Sequence, residues 1–553
     1  MKPEVRMTPM WTRWLFGATA LAAATLGAQT ETAAPANSSI LSADLEADVR
    51  FLAGDGMRGR LTNTPGNQQA AEFIASRFAR LGLSGTGRAG THFQTFDLTT
   101  TQLGDINALE MGGEPNAELT LGSAFYPDPT SVSGTAAGEV VFAGFGITEE
   151  PIGHDDYRSA DLEGKVALIL NHEPEEFDPD SVFEGEVLSE ASRTVRKVLA
   201  AQHGGATAVL IAPDLHNHVG RTGLSRPMRN VWPGDRPGQR PRYQLASWVN
   251  AVRIPVMHIS GDLATLIVER AGYSLHALGS LAEQPGGIEA FAIPGPPVTM
   301  TASVTRRTVT TRNVLGLIHG SDPQRREEWI LLTAHFDHEG ADGSRIFNGA
   351  DDNASGVAGL IEIAEAYQLA EQEGFRPQRS ILFAAWNAEE QGLLGAWAYT
   401  QAPLHPLEQT VAVLNMDMIG RNEEIPEAGG PRFRGLEPQT AEVNQNAVNL
   451  LGYSRSPELR GAVERANGLT GLRLQFRYDD SASNLLRRSD QWPFLYLGVP
   501  AIFVHTGLHP DYHTERDRPE SLNYEKMARI VRMVHQVSWN LSQTSDRPAV
   551  VRR

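Results

Sequence analysis

Residues 381–396 read ILFAAWNAEEQGLLGA. An apolar run of the kind that forms a buried strand stops abruptly at two adjacent carboxylates, Glu389 and Glu390. Burying one unpaired carboxylate is unfavourable, and a second beside it adds like-charge repulsion. The pair therefore asks for a compensating positive charge.

Working outward, further apolar runs end in the same way. EEWILLTAHFD closes on His335 and Asp337, and TVAVLNMDMIG carries Asp417. GADDNASG places Asp351 and Asp352 just before a helical pattern, and HPDYHTERD brings Tyr512 and His513 shortly after the last run, VPAIFVHTG. Strand-like runs alternate here with helical ones such as SGVAGLIEIAEAYQLA and EKMARIVRMVHQVSWNL. That alternation predicts an α/β fold with a mixed, mostly parallel sheet flanked by helices. Ligands gather at the carboxyl ends of strands in such sheets, so these distant residues can meet in one place. A divalent cation would let the buried carboxylates coexist. Adjacent residues leaving a strand point in different directions, so one glutamate can bind metal while its neighbour acts as general base toward water.

Composition narrows the classes. The chain has 553 residues, too many for one ordinary core, and a net charge of −18 that argues against nucleic-acid binding. It has no cysteine, so disulfides and a cysteine nucleophile are excluded and any zinc must be held by His, Asp and Glu. No GxSxG, HExxH or phosphate-binding GxxxxGK[ST] motif is present. Lys2, Arg6 and Arg13 precede the Ala-rich apolar stretch 14–28, which predicts a cleaved export signal at 1–28, periplasmic or secreted localisation, and no stable membrane insertion afterwards. A disordered spacer is expected over 29–40. Helical patterning follows from 43 to 83, and a main α/β domain is built from 41–110 and 298–545. Between them, 115–297 forms a β-rich insert with the runs GEVVFAGFG, GKVALIL, ATAVLIAP and RIPVMHIS.

The ordered series HFDHEG, GADDNASG, NAEEQG, NMDMIG and DYHTERD resembles the M28 family of co-catalytic zinc aminopeptidases, and the insert resembles a protease-associated domain. The resemblance implies a zinc-exopeptidase fold and two zinc ions per chain. One zinc goes to His335 and Asp417, the other to Glu390 and His513, with Asp352 bridging. It implies Glu389 as general base, Asp337 orienting His335 through that ring's other N–H, and Tyr512 as donor to the developing oxyanion. The expected reaction is hydrolysis of the N-terminal bond of peptide substrates by metal-activated water. A glutamate-carboxypeptidase-like enzyme is the runner-up, ahead of a single-zinc glutaminyl cyclase and an inactive receptor-like homologue. The residues leave oligomeric state open.

Neighbouring residues read more plainly. Asp351 is expected as a turn or capping residue, and His338 and Glu339 as loop residues. His505 and His509 share a spacing of four with His513, but Gly507 and Pro510 break any helix there. Segment 216–242 carries six arginines and one acid, and is expected as a solvated loop or as an overhang that meets a substrate carboxylate.

Overall fold

The computed structural model describes residues 31–87, 90–112, 119–185, 187–224 and 240–551. The expected export signal and most of the arginine-rich segment lie outside these residues. The protein is a mixed α/β structure whose largest sheet has nine strands. Four parallel strands form its middle, in the order Ser380–Trp386, Trp329–His335, Thr410–Met416 and Ala501–His505. Nearly every position in them is buried, as expected for parallel strands covered on both faces. Side chains alternate between two cores. Ile330, Leu332, Ile381 and Phe383 pack toward helices Ser42–Leu52, Pro65–Arg80, Gly356–Gln372 and Tyr524–Gln543. Leu331, Leu382, Trp386 and Phe503 pack toward Leu394–Gln401 and Trp492–Tyr496 on the other face.

The edges of this sheet are antiparallel. Phe93–Leu103 pairs along its length with Val304–Ile318, from Phe93 opposite Val314 to Leu103 opposite Val304. The chain therefore leaves the main sheet at Leu103 and returns beside its own exit strand. The excursion between builds a six-stranded sheet in the order Phe291–Ala292, Val140–Phe142, Val166–Leu170, Ala208–Ala212, Val256–Ile259 and Phe125–Pro127. Val166, Leu168 and Leu170 face one core and Ala167 and Ile169 the other, the period of two that a strand imposes. One short strand of the excursion, Gln244–Leu245, returns to pair with Phe93–Leu103, tying the insert to the main sheet's edge.

Two expectations are corrected. Residues 34–40 are not a disordered spacer: Ala34 and Ile40 are buried, the Ala34 N–H donates to Gln536 Oε1 at 2.6 Å, and Asn37 Oδ1 lies 3.1 Å from His535 Nδ1. Packing on the last helix supplies the order that their polar composition does not advertise. The helical stretch from 43 to 83 is two helices, Ser42–Leu52 and Pro65–Arg80, with a short 3-10 segment, Asp55–Arg60, between them. Gly54 and Gly59 break the pattern, and Pro65 restarts it at the first helical turn, where its missing N–H is harmless.

Candidate metal centre

His335, Asp337, Asp352, Glu389, Glu390, Asp417, Tyr512 and His513 meet at the carboxyl edge of the four parallel strands. His335 is the last residue of its strand, and Asp417 directly follows Thr410–Met416. Glu389 and Glu390 follow Ser380–Trp386 by three and four residues. Asp352 comes from the turn that enters helix Gly356–Gln372, and His513 from the loop after Ala501–His505. The loops are tightly bent: Ala388, Met418 and His513 hold left-handed φ angles of 60°, 57° and 55°. Non-glycine residues occupy that region rarely, and such strain concentrates at functional sites.

Asp352 is the pivot. Its Oδ1 lies 3.2 Å from His335 Nε2, and its Oδ2 lies 3.0 Å from His513 Nε2. Asp417 Oδ1 approaches the same His335 nitrogen at 3.4 Å, and Glu390 Oε2 approaches the same His513 nitrogen at 3.3 Å. Two donor groups result, His335–Asp352–Asp417 and His338–Asp352–Glu390–His513, sharing the Asp352 carboxylate. Glu389 lies outside both groups, with Oε2 3.9 Å from His335 Nε2. The donors fit a metal on a direct test: His335 Nε2 and Asp417 Oδ1 are buried without a hydrogen bond of acceptable geometry. Lone pairs held a little over 3 Å apart and aimed at one point are what a cation with tetrahedral N/O ligation requires.

Electrostatics say the same. Burial, reinforced by Asp490, Asp417 and Asp352, holds the Glu389 carboxyl well above its usual range despite His335 nearby. Burial, with Asp352 and Glu389, does the same to Glu390. Burial would raise Asp352 too, but His338, His335 and His513 outweigh it and keep that carboxylate ionised. Burial works against a charged His335, yet Glu389 and Asp417 lift it well above the ordinary imidazole value. Without a cation the centre holds extra protons, and a divalent ion would take their place.

The supporting contacts modify the sequence reading. Asp337 does not orient His335 through its carboxylate, which lies 3.8 Å from Nδ1; the backbone carbonyl of Asp337 is the nearer partner, at 3.2 Å. Its carboxylate instead accepts the backbone N–H of Glu389 at 3.0 Å, that of Glu390 at 3.4 Å, and the Thr62 hydroxyl at 3.2 Å. Asp337 thus fixes the segment bearing both glutamates. Asp351 accepts the Gly420 N–H at 2.6 Å and sits 3.3 Å from His509, outside either donor group. Tyr512 lines the pocket, and its hydroxyl accepts from Arg488 at 3.1 Å.

Other contributors escaped the sequence reading. His338, read as a loop residue, is fully buried with Nδ1 2.7 Å from Glu390 Oε1. Arg60 is fully buried and donates to the carbonyls of Phe336, Leu52, Asn348 and Gly349 at 2.7–2.9 Å. It braces the loops behind the centre, and burial pulls its pKa down to about 10. Ser489 donates to Asp417 Oδ2 at 2.5 Å. Gly349 has φ of 59°, and a Cβ there would lie 2.1 Å from the Asp352 carbonyl oxygen and 2.5 Å from the His338 ring, so only glycine fits. For His338 and Gly349 the readable signal was their place within the motifs; Arg60 and Ser489 lie far from them in sequence and carried none.

The pocket above the centre encloses about 260 Å³. Asp352, Glu389, Glu390 and Asp417 form its acidic floor, and Arg193, Arg487 and Arg488 line its wall. Arg193 pairs with Glu190 at 2.5 Å, and Arg487 pairs with Glu184. Among the described residues, Arg488 has no acidic ion-pair partner; it contacts Tyr512. From the arginine-rich segment, Arg240 pairs with Glu339, itself 3.7 Å from His513 Nδ1.

Fold and site define the class: a mixed α/β protein with a shared-carboxylate donor cluster at the carboxyl ends of parallel strands. Residues 313–538 match peptidase family M28. It is 26% identical over 503 residues to a probable glutamate carboxypeptidase VP8 of Zea mays, covering 86% of this chain and 62% of that protein. It is 30% identical over 268 residues to a probable zinc metalloprotease of Pyrenophora tritici-repentis, covering 43% of this chain and 53% of the relative. The chain thus spans between half and two thirds of the length of these relatives. Among solved structures it is similar to an aminopeptidase from Aneurinibacillus sp. strain AM-1, with 18% identity, a TM-score of 0.46, and coverage of 91% of this chain and 94% of that one.

Proposed function

We propose that this chain is an exported exopeptidase that holds two zinc ions and cleaves the N-terminal bond of peptides. The observation that carries the reading is Asp352, whose two oxygens each lie within 3.2 Å of a different histidine, with Glu389 beside the cluster and in neither donor group. His335, Asp352 and Asp417 would hold one zinc, and Asp352, Glu390 and His513 the other. Bound zinc supplies Lewis acidity and makes water acidic enough to attack at neutral pH.

The chain's own residues do the rest. Glu389 takes the proton from the attacking water and passes it to the leaving amine. Its placement is set by the Asp337 carboxylate on its backbone N–H. The Tyr512 hydroxyl, oriented by Arg488, donates to the oxyanion forming on the scissile carbonyl. Asp417 and Glu389 on the pocket floor receive the substrate's ammonium, which selects a free N-terminus. The insert, with its own sheet and cores, acts as a protease-associated domain: it delivers Arg193 to the pocket wall.

One observation favours a second reading. Among the described residues Arg488 faces the pocket without an acidic partner, and a guanidinium there suits a substrate carboxylate. A carboxypeptidase of the glutamate type would use it for the C-terminus. Product analysis with the zinc-loaded enzyme separates the readings. N-acetylated peptides resist and C-amidated ones are cut if the aminopeptidase reading holds, and the reverse overturns it.

A further inference from the structure

A second cluster of metal-capable side chains lies in the insert. His172 follows strand Val166–Leu170, Glu176 sits four residues on, and His218 comes from the loop after Ala208–Ala212. Their atoms close a triangle: His172 Nδ1 to Glu176 Oε2 2.8 Å, His218 Nε2 to the same oxygen 2.8 Å, and His172 Nδ1 to His218 Nε2 2.7 Å. The two rings stand nearly perpendicular, 82° apart, and both nitrogens lie within 2.8 Å of the same Glu176 oxygen.

Hydrogen bonding does not satisfy this triangle. An N–H points in one direction, and the corners of a near-equilateral triangle lie about 60° apart as seen from the third, too far for one proton to serve both contacts. If both nitrogens donate to Glu176, two donors face each other at 2.7 Å. If one is deprotonated, its lone pair faces the carboxylate oxygen at 2.8 Å or is left to the other ring alone. A cation at the point of convergence accepts all three lone pairs at once.

The surroundings hold the cluster in place. His172 sits in the left-handed region at φ 64°, and its carbonyl is gripped by the buried Lys197 ammonium, which also donates to the Leu170 carbonyl at 2.9 Å. The Phe177 ring meets the His218 ring edge-on at 5.6 Å. The three side chains are 11–26% exposed, so an ion can enter from solvent. They line a cavity of about 440 Å³ that also touches Arg434 and Asn484 of the main sheet's loops.

We propose that His172, Glu176 and His218 form a further metal site, distinct from the centre on the main sheet, that takes one divalent transition ion of the zinc type. Two imidazoles and one carboxylate match zinc-class ions and disfavour calcium or magnesium, which prefer oxygen. Ligation at about 2.0–2.1 Å would spread the three donors to roughly 3.3 Å, so uptake opens the triangle by about half an ångström. The ion would fasten the loops after two neighbouring strands of the insert at its junction with the main sheet.

Metal content of the full-length chain tests this independently of how many ions the main centre holds. The protein is stripped, reloaded with zinc, freed of excess by gel filtration and measured by mass spectrometry of the metal. His218→Gln should hold one zinc per chain fewer than the parent. Asp352→Ala, which disturbs only the main centre, should retain a zinc that is lost when His218→Gln is added. Zinc should also raise the melting temperature of Asp352→Ala but not of the combined variant. Should His218→Gln fold poorly, Glu176→Gln keeps the shape and should weaken this site by more than about tenfold. Equal zinc content and affinity in the parent and these variants would overturn the assignment.

Discussion

Replacing Glu389 with glutamine removes a proton acceptor while keeping the side chain's size and leaving both donor groups intact. The carboxylate lies beside the His335–Asp352–Asp417 group, 3.9 Å from His335, and its backbone remains held by Asp337. General-base catalysis contributes about 10²–10⁴ in rate, or roughly 3–5.5 kcal/mol of barrier. We expect kcat to fall by that factor with little change in zinc content. The metal-free protein supplies an independent sign. Burial and nearby acids raise the folded-state pKa of Glu389 well above its unfolded value. As pH climbs above the usual carboxyl range, the unfolded chain ionises first, so the folded state loses stability over that window. Glutamine is exempt. The metal-free variant should therefore melt higher than the metal-free parent at neutral pH, and the gap should close toward pH 4. Turnover of an aminoacyl anilide at saturating zinc and calorimetry in chelator read the two effects. A kcat within tenfold of the parent would refute the assignment of the base, and loss of zinc would show that Glu389 is a ligand.

Asp352→Ala removes the carboxylate shared by both donor groups, so zinc bound at the main centre should fall for both ions together, with activity lost; loss of only one would refute a bridge. Arg488→Met should raise KM about tenfold or more for short peptides with a free carboxylate and little for their amides, measured as the ratio of kcat/KM between the two. Glu362 is raised to about 8, first by burial and then by Glu365, Asp44 and Asp48, against Arg77. It is an acid kept neutral by the fold, so stability declines as pH rises from the unfolded value near 4.5 to about 8. Glu362→Gln should relieve of order 2–4 kcal/mol at pH 8 and nothing at pH 4.5, as denaturant melts at the two pH values would show.

What was legible in the sequence follows from burial. Strands covered on both faces must be apolar along their length, so the four central strands stood out as runs, and the polar residues at their ends stood out by contrast. The antiparallel edge was harder to see. Val304–Ile318 begins VTRRTVTTR, half exposed and free of long apolar runs; over that stretch it pairs with Phe93–Leu103 about two hundred residues earlier, and it meets Ser380–Trp386 only at its buried end. Arg60 was invisible for a related reason. An arginine in a glycine-rich turn looks solvated, and only the fold reveals that four carbonyls from three separate segments surround it. Asp337 shows the limit of spacing as a guide. Two residues from His335 it is well placed to orient that ring, yet its carboxylate is taken by two backbone N–H groups across the adjacent strand end.

That displacement bears on how the centre is built. Glu389 and Glu390 are buried next to each other, and each lies above its usual pKa range. Left to themselves they would swing apart. Asp337, itself buried, prevents this by anchoring the peptide groups and not the side chains, which leaves both carboxylates free for chemistry. Arg60 does the same from behind: it neutralises part of the cluster's field while its donors are spent on carbonyls, so it competes with no ligand. Both residues position the backbone and spare the lone pairs. A fold that instead satisfied the carboxylates with side-chain hydrogen bonds would be more stable empty and would bind a metal less well. The unmet oxygen of Asp417 and nitrogen of His335 are the trace of that arrangement.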